Sequence, residues 1–233
     1  MQSAFKRTLR EAFIATTPVM AGYIVLGMGF GVLLSTRGYG PLWALAMSGF
    51  IYAGSMQYLA IDLLTGGASL ITSALTTLLV NARHLFYGIS MVEGYRGMGK
   101  KKPYAIFALT DETYSLVCQD KHETQEERHQ YAFLVSVLNQ CWWVGGSLIG
   151  SLLGEVIPFD VTGIDFALTA LFVTVFIEQW LCTRDHASAI IGVAASVGCL
   201  MIFGADSFLI PAMASILLAL SILRIVRKEA AHG

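Results

Sequence analysis

Ala12-Phe13-Ile14-Ala15-Thr16-Thr17-Pro18-Val19-Met20-Ala21-Gly22-Tyr23-Ile24-Val25-Leu26-Gly27-Met28-Gly29-Phe30-Gly31-Val32-Leu33-Leu34 contains no charged side chain. A helix needs about 20 apolar residues to cross the hydrocarbon core of a bilayer, within a range of about 17–25, so this stretch is long enough. Lys6, Arg7 and Arg10 stand just before it. The run exceeds the roughly 7–15-residue apolar core of a secretory signal, and no A-x-A pattern closes it. It reads as a first membrane helix that is retained.

Seven further apolar runs follow: 41–64, 69–92, 103–118, 131–153, 164–182, 187–203 and 207–225. Short turn-forming separators divide them, such as Arg37-Gly38-Tyr39-Gly40 and Thr65-Gly66-Gly67. Across all 233 residues, 55% are hydrophobic and 13% charged. A soluble domain carries about 25% charged residues, so too little charge is present to cover a water-facing surface. Fifteen basic residues against sixteen acidic ones give a net charge of -1, without the basic stripe that nucleic acid requires. The expected architecture is all-α: a polytopic helical membrane protein with six to eight membrane segments. Residues 1–233 are expected to form a single transmembrane transport domain with no soluble domain. The four cysteines are far apart and fit small core residues better than metal ligands or disulfides.

Basic residues in short loops set orientation. They gather at the N-terminus, at Arg96–Lys102, at Arg184 and at Arg224–Lys228, whereas 65–68, 155–163 and 204–206 have none. Both termini, the 96–102 loop and Arg184 are therefore expected in the cytoplasm. Three full crossings before residue 96 would put that loop outside, so one element before it, and one between 103 and 118, should fail to cross. Pro41–Leu64 is interrupted by Gly49, Gly54 and Ser55, and Pro103–Cys118 is short with Asp111-Glu112 at its centre. These two are expected to be discontinuous or re-entrant. Irregular backbone at membrane depth is tolerated only inside protein or along a cavity, so they should build the functional site.

Glycines at spacing four share one helix face and let a second backbone come close. Gly27 and Gly31 form one such face, and Gly146, Gly150 and Gly154 another. Helix packing is the expected role, with Trp142 and Trp143 beside them as lipid or interface anchors. Ionisable groups deep in a bilayer cost about 2.5–3.5 kcal/mol each on insertion scales, so they are kept for a reason. Asp62, Arg83, His84, Asp111, Glu112 and Glu178 are such groups, with Gln57, Asn81, Thr110 and Asn139 as uncharged companions. Asp62 and Glu178 lie near run ends, where they can reach the interface. Read as one helix, 69–92 places Ser73, Thr77, Asn81, His84 and Gly88 on a single small-polar stripe.

A guanidinium and several carboxylates in one apolar enclosure suit a zwitterion with an aliphatic side chain. Arg83 or an exposed helix N-terminus would take its carboxylate, and Asp111 or Glu112 its ammonium. Tyr52, Gln57, Asn81, His84 and Thr110 complete the candidate binding set. His84, Asp111, Glu112 and Asp62 are candidates for a coupling proton. Broken helices at the midplane are a recurring way for transporters to hold such solutes.

Ile51-Tyr52-Ala53-Gly54-Ser55-Met56-Gln57-Tyr58, Asn81-Ala82-Arg83-His84-Leu85-Phe86-Tyr87-Gly88 and Leu109-Thr110-Asp111-Glu112-Thr113-Tyr114 resemble the AzlC family of bacterial inner-membrane permeases, the YgaZ-like proteins. Pro18 and the Gly27–Gly31 cluster fit as well, and the likeness covers nearly the whole chain. Ala82 and Phe86 stand where the motif commonly has Leu; both changes are apolar. The resemblance implies the large subunit of an exporter of branched-chain amino acids, valine, leucine and isoleucine with methionine as a further candidate. It also implies a small hydrophobic AzlD-type partner subunit. It carries over no catalytic residue and no cofactor. The absence of G-x-x-x-x-G-K-[ST] leaves the chain without a nucleotide site of its own, which favours secondary active transport.

Two readings of other classes compete. An intramembrane metal-dependent enzyme would use His84 with nearby carboxylates, but H-E-x-x-H and G-x-S-x-G are both absent. A passive channel or structural membrane subunit would show a continuous polar pore stripe on several helices, whereas the polar groups here concentrate in two or three elements.

Overall fold

The computed structural model describes residues 2–120, 122–156, 185–204 and 208–230, with 166, 169, 173, 176–177 and 180–181 between them. Every regular element among the described residues is helical. Two compact units divide the chain, Met1–Leu168 and Thr169–Gly233.

The first unit is built on two long parallel helices, α1 (Gln2–Thr36) and α8 (Gln125–Val156). At 1.5 Å per residue they extend about 52 Å and 48 Å. Both are long and apolar enough to cross a membrane. Their glycine faces meet. A Cβ on Gly27 would come within 2.9 Å of the Ser147 amide nitrogen and the Trp143 carbonyl oxygen, and one on Gly146 within 2.7 Å of the Ile24 carbonyl oxygen. Further along, Gly31 abuts Ser147 and Ser151, Gly150 abuts Met28, and Gly154 abuts Val32 and Ser35. Only hydrogen at these positions lets the backbones approach so closely. Near the N-terminal ends of the pair, Arg7 is ion-paired to Glu127. The register is thus parallel with a constant offset.

Between these rods the chain folds into shorter pieces: α2 (Pro41–Phe50), α3 (Gly54–Thr65), α4 (Leu70–Val80), α5 (Ala82–Ser90), α6 (Lys102–Phe107) and α7 (Asp111–Cys118). α2 starts beside Glu155, which approaches Gly40, and ends where Gln140 Nε2 donates to the Gly49 carbonyl at 3.0 Å. It therefore runs back along α8 from its C-terminal end to its middle. Gln57 then donates to Ser48 Oγ at 3.1 Å across nine residues, which in a continuous helix would be about 13 Å apart. α2 and α3 are thus a hairpin.

A second hairpin comes from the opposite end. Lys101 lies 5.4 Å over the Phe133 ring, and Tyr104 packs edge-on to the same ring. α6 rises from there, the chain turns at 108–110, and α7 returns. Leu116 and Val117 pack with Ala12, Tyr131 and Val135, and Cys118 reaches Met91. Both feet of this hairpin stand at the N-terminal ends of α1 and α8. α5 ends there too, since Met91, Tyr95 and Met98 pack with Ala105 and Ala132. The basic segments around Arg7 and around Arg96–Lys102 consequently share one end of the unit.

Two differences from the sequence reading, the break in 69–92 and the burial of Trp143, have local causes. The stretch 69–92, expected as one helix, is broken at Asn81, whose backbone (φ -89°, ψ 3°) leaves the helical path between α4 and α5. Pro41–Leu64 is interrupted, as its glycines suggested, at 51–53, where Tyr52 takes φ 45°. Trp143, expected at a lipid boundary, is 5% exposed because Gly54 allows the hairpin backbone to lie against its ring. Elsewhere the surface is strongly apolar: Leu42 is 80% exposed, Phe50 84% and Leu70 89%. Water would penalise such a surface, and acyl chains would not.

In the second unit, the described residues between 169 and 181 are helical and are followed by α9 (Ala187–Phe203) and α10 (Leu209–Ala230). Cys199 Sγ lies 3.6 Å from Ser215 Oγ between the last two, and His186 stacks on Trp180.

Candidate functional site

Tyr23 is the middle residue of the apolar run 12–34, and Trp142 the middle of 131–153. Both hairpin tips arrive at this level. A Cβ on Gly54, the first residue of α3, would sit 2.9 Å from the Trp143 ring. Thr110, the N-cap of α7, lies 2.8 Å from the Tyr23 hydroxyl. Tyr52, at the tip of the first hairpin, packs against Phe107 at the tip of the second. Two helix N-termini, those of α3 and α7, therefore open at mid-height, where their amides carry partial positive charge.

The two N-termini are finished differently. Thr110 Oγ1 accepts from the Thr113 amide, and Asp111 and Glu112 fill the first turn of α7 with acidic groups. Ala53, the N-cap of α3, offers no side-chain cap and no charge. One N-terminus thus presents carboxylates, and the other retains its affinity for an anion.

A chain of polar side chains joins the tips inside the apolar bundle. The Tyr23 hydroxyl donates to Glu112 Oε2 at 2.5 Å. Thr110 Oγ1 is 3.1 Å from Thr113 Oγ1, which accepts from Asn139 Nδ2 at 2.9 Å. Tyr52 neighbours Tyr23, Thr110 and Glu112. The Tyr23 ring meets Trp143 edge-on at 5.5 Å, and Trp143 Nε1 donates to Gln57 Oε1 at 2.9 Å. Gln140 ties the two hairpins together, donating to the Gly49 carbonyl while accepting from the Tyr104 hydroxyl at 2.5 Å. Gln57, Thr113 and Asn139 are wholly buried. Asn139 Oδ1 has no hydrogen-bond partner among the described residues. Such groups are costly in an apolar interior unless they meet a partner, so the network specifies how the tips dock.

The sequence candidates fall into groups. Tyr52, Thr110 and Glu112 come together around Tyr23. Asp111 follows Thr110 in the same turn. Gln57 is held by Ser48 and Trp143 in the adjoining part of the network. His84 belongs to another cluster: its Nδ1 is 3.2 Å from the Asn81 carbonyl and its ring lies against Tyr87, which stacks on Tyr114 of α7. Asn81 Oδ1 is buried with no hydrogen-bond partner among the described residues. Asp62 is exposed near the C-terminal end of α3. The side chain of Arg83, and Glu178, lie outside the described residues. Glu112 is exposed on the first unit although it stands at the level of Tyr23.

Sequence reasoning passed over Tyr23, Thr113, Trp143 and Gln140 as parts of the site. A lone Tyr, Thr or Trp in an apolar run has no period to betray it. The usable signal was position, since Tyr23 and Trp143 stand at or beside the centres of their runs. No group of three His, Cys, Asp or Glu side chains is arranged to hold a metal among the described residues.

Residues 18–157 match the family described as AzlC protein. The branched-chain amino acid transport protein AzlC of Bacillus subtilis (strain 168) is 42% identical over 215 residues, covering 92% of this chain and 85% of that protein. An uncharacterized membrane protein of Helicobacter pylori (strain 26695) is 40% identical over 94% of this chain and 96% of its own length. More distantly, inner membrane protein YgaZ of Escherichia coli (strain K12) is 27% identical over 88% of this chain and 84% of its own. No solved structure matches. The matched region contains both hairpins, the Tyr23 cluster and the α1–α8 glycine faces, and it establishes that the chain belongs to the AzlC family.

Proposed function

We propose that the protein is a bacterial inner-membrane permease that exports branched-chain amino acids by secondary active transport. Valine, leucine and isoleucine are its substrates, with methionine as a further candidate. A small hydrophobic AzlD-type subunit is its partner. The observation that carries the reading is the meeting of two opposed hairpins at mid-height around a polar cluster with one acidic and one uncapped helix N-terminus.

That arrangement matches a zwitterion. The substrate ammonium binds at Glu112, Asp111 and Thr110 beside Tyr52, and its carboxylate at the N-terminus of α3, with Arg83, Asn81 and His84 contributing from the α4–α5 break. Gln57 acts as a frame, fixing Trp143 against the tip. An exposed carboxylate at mid-membrane is unfavourable in oil, so Glu112 faces water or another protein surface. Glu112, Asp111 and His84 are the groups for a coupling proton, with Asp62 at the far end of α3.

On this reading α1, the α4–α5 pair and α8 cross the bilayer, and the hairpins enter from opposite sides. The basic ends of the first unit and both chain termini then face the cytoplasm, as the positive-inside rule requires. Residues 1–233 work as one transport domain embedded in lipid. Support comes from family membership and from the name of the B. subtilis relative.

The test is amino-acid retention in cells lacking the gene. Intracellular valine, leucine and methionine should fall on expressing this chain, alone or only beside the small subunit. Unchanged pools in both cases, together with absent counterflow of labelled valine in proteoliposomes, would refute the permease reading.

A further inference from the structure

We propose that Tyr23 is the positioning residue that links the protonation of Glu112 to the docking of the α6–α7 tip; the inference rests on the permease reading above. Tyr23 sits on α1, which the glycine faces lock to α8, so its ring belongs to the rigid part of the unit. It is 6% exposed and braced edge-on by Trp143. Its one hydroxyl touches the opposing tip twice, donating to Glu112 Oε2 and lying against Thr110 Oγ1. Thr110 ends the break and Glu112 lies in the first turn of α7, so a single atom holds both sides of the bend.

The strength of that hold depends on charge. An ionised carboxylate only accepts, and a hydroxyl bound to it makes a charge-assisted bond roughly twice as strong as a neutral one. A protonated carboxyl carries its own hydrogen, and the bond to Tyr23 loses this advantage. Among the described residues, the ionisable groups facing or adjoining Glu112 are Tyr23 from α1, Tyr52 from the α2–α3 tip and Asp111 from α7; α8 presents only the neutral Asn139 and Trp143 there. Glu112 is exposed on the first unit and Tyr23 is on its buried side, so a proton that arrives at the open face of the carboxyl does not cross the packed network. Proton uptake therefore loosens the tip, and proton release re-docks it, at the level where substrate binds.

The experiment uses full-length protein in proteoliposomes, in whichever subunit composition supports exchange of labelled leucine. Two fluxes are measured from about pH 4, within the ordinary carboxylate range, to about pH 8: equilibrium exchange, and accumulation driven by an imposed pH gradient. Tyr23→Phe keeps the ring against Trp143 and removes only the hydroxyl. The ratio of driven flux to exchange is expected to fall at least tenfold, and the pH profile of exchange to flatten. Glu112→Gln should flatten it likewise and carries the test if Tyr23→Phe yields no folded protein. A ratio within twofold of wild type with an unshifted profile, in either variant, overturns the proposal. Wild-type exchange that is brisk yet indifferent to pH and to the gradient overturns it too, while leaving the permease reading standing. Absence of exchange in every composition removes both.

Discussion

Gly150→Ala should weaken the protein sharply, whereas Gly145→Ala, five residues away on the same helix, should not. A Cβ on Gly150 would lie 2.5 Å from Met28 Cα and 2.7 Å from its carbonyl carbon. Carbon pairs rest at about 3.5–4.0 Å, so α1 must retreat by about 1 Å. Both helices are long and stiff, so the retreat also opens the contacts of Gly27 with Ser147 and of Gly154 with Ser35. A gap of about 0.5–1 Å forfeits roughly a quarter to a half of each dispersion contact, and in lipid no hydrophobic term compensates. The expected cost is at the upper end of the usual overpacking range, about 3 kcal/mol. Gly145 has nothing within 4 Å of its added carbon. There alanine brings only its helix preference, a gain of about 0.5–1 kcal/mol. Both variants receive that gain, so the difference between them isolates the backbone contact. Unfolding by SDS in mixed micelles, followed by tryptophan fluorescence and circular dichroism, reads it. Equal shifts in the two variants, within about 0.5 kcal/mol, would refute the claim that this face holds α1 to α8.

Trp143→Phe removes the donor to Gln57 Oε1 and leaves a fully buried acceptor unmet, at a cost of about 1–3 kcal/mol. Adding Gln57→Leu should recover part of it, and a double-mutant cycle with zero coupling would show that the bond is incidental. His122 supplies a pH prediction. Burial opposes its charge, but hydrogen bonds to Asp120 and Glu11 outweigh that and raise its pKa above 6.5. The stability it contributes is complete below about pH 6.5, the unfolded value, and is lost as pH rises through the higher folded value. His122→Gln should abolish that pH-dependent part of the unfolding midpoint; an unchanged slope counts against the assignment. Tyr52→Gly relieves a left-handed backbone conformation worth about 1–3 kcal/mol of strain. It also deletes a buried ring packed on Phe107, a loss of about 3–5 kcal/mol, so stability and transport should both fall, and an unchanged unfolding midpoint would show that the ring does not hold the tips together. Cysteine at 66 should react with a membrane-impermeant thiol reagent from outside and cysteine at 97 from the cytoplasm; labelling of 66 only from the cytoplasm defeats the proposed topology.

The legible parts of the fold were those written in runs and spacings. Gly49, Gly54 and Ser55 announce the interruption of 41–64, and spacing four marks the facing glycines of α1 and α8. Thr110-Asp111-Glu112 is a cap followed by acidic residues, which is how a helix begins, and α7 does begin there. The break at Asn81 was hidden because its flanks are good helix formers on both sides; nothing in Val80-Asn81-Ala82 demands a stop. Tyr23 was hidden for another reason. Its importance comes from Thr110 and Glu112, almost ninety residues later, and contacts of that separation leave no mark in local composition. Trp143 was read from its residue type as an interface anchor, yet its position beside the centre of an apolar run already argued against an interface.

With the unit set across a bilayer, the depth at which the first hairpin turns follows from its length. The ten-residue α2 rises about 15 Å, half the roughly 30 Å hydrocarbon core, so the α2–α3 hairpin reaches the midplane and must return. Its turn leaves backbone groups without helical partners, which hydrocarbon does not tolerate. One hairpin alone would need a dedicated cover. Two entering from opposite sides cover each other: Tyr52 packs on Phe107, and Gln140 spans from the Gly49 carbonyl to Tyr104. On the proposed topology, the same docking leaves one acidic and one uncapped N-terminus at the tips, reached from either side along short helices instead of a full span. On the proposed permease reading, a small shift of either tip changes which side has access, and the contacts that must yield are the few polar ones around Tyr23, while the glycine-locked rods stay in place.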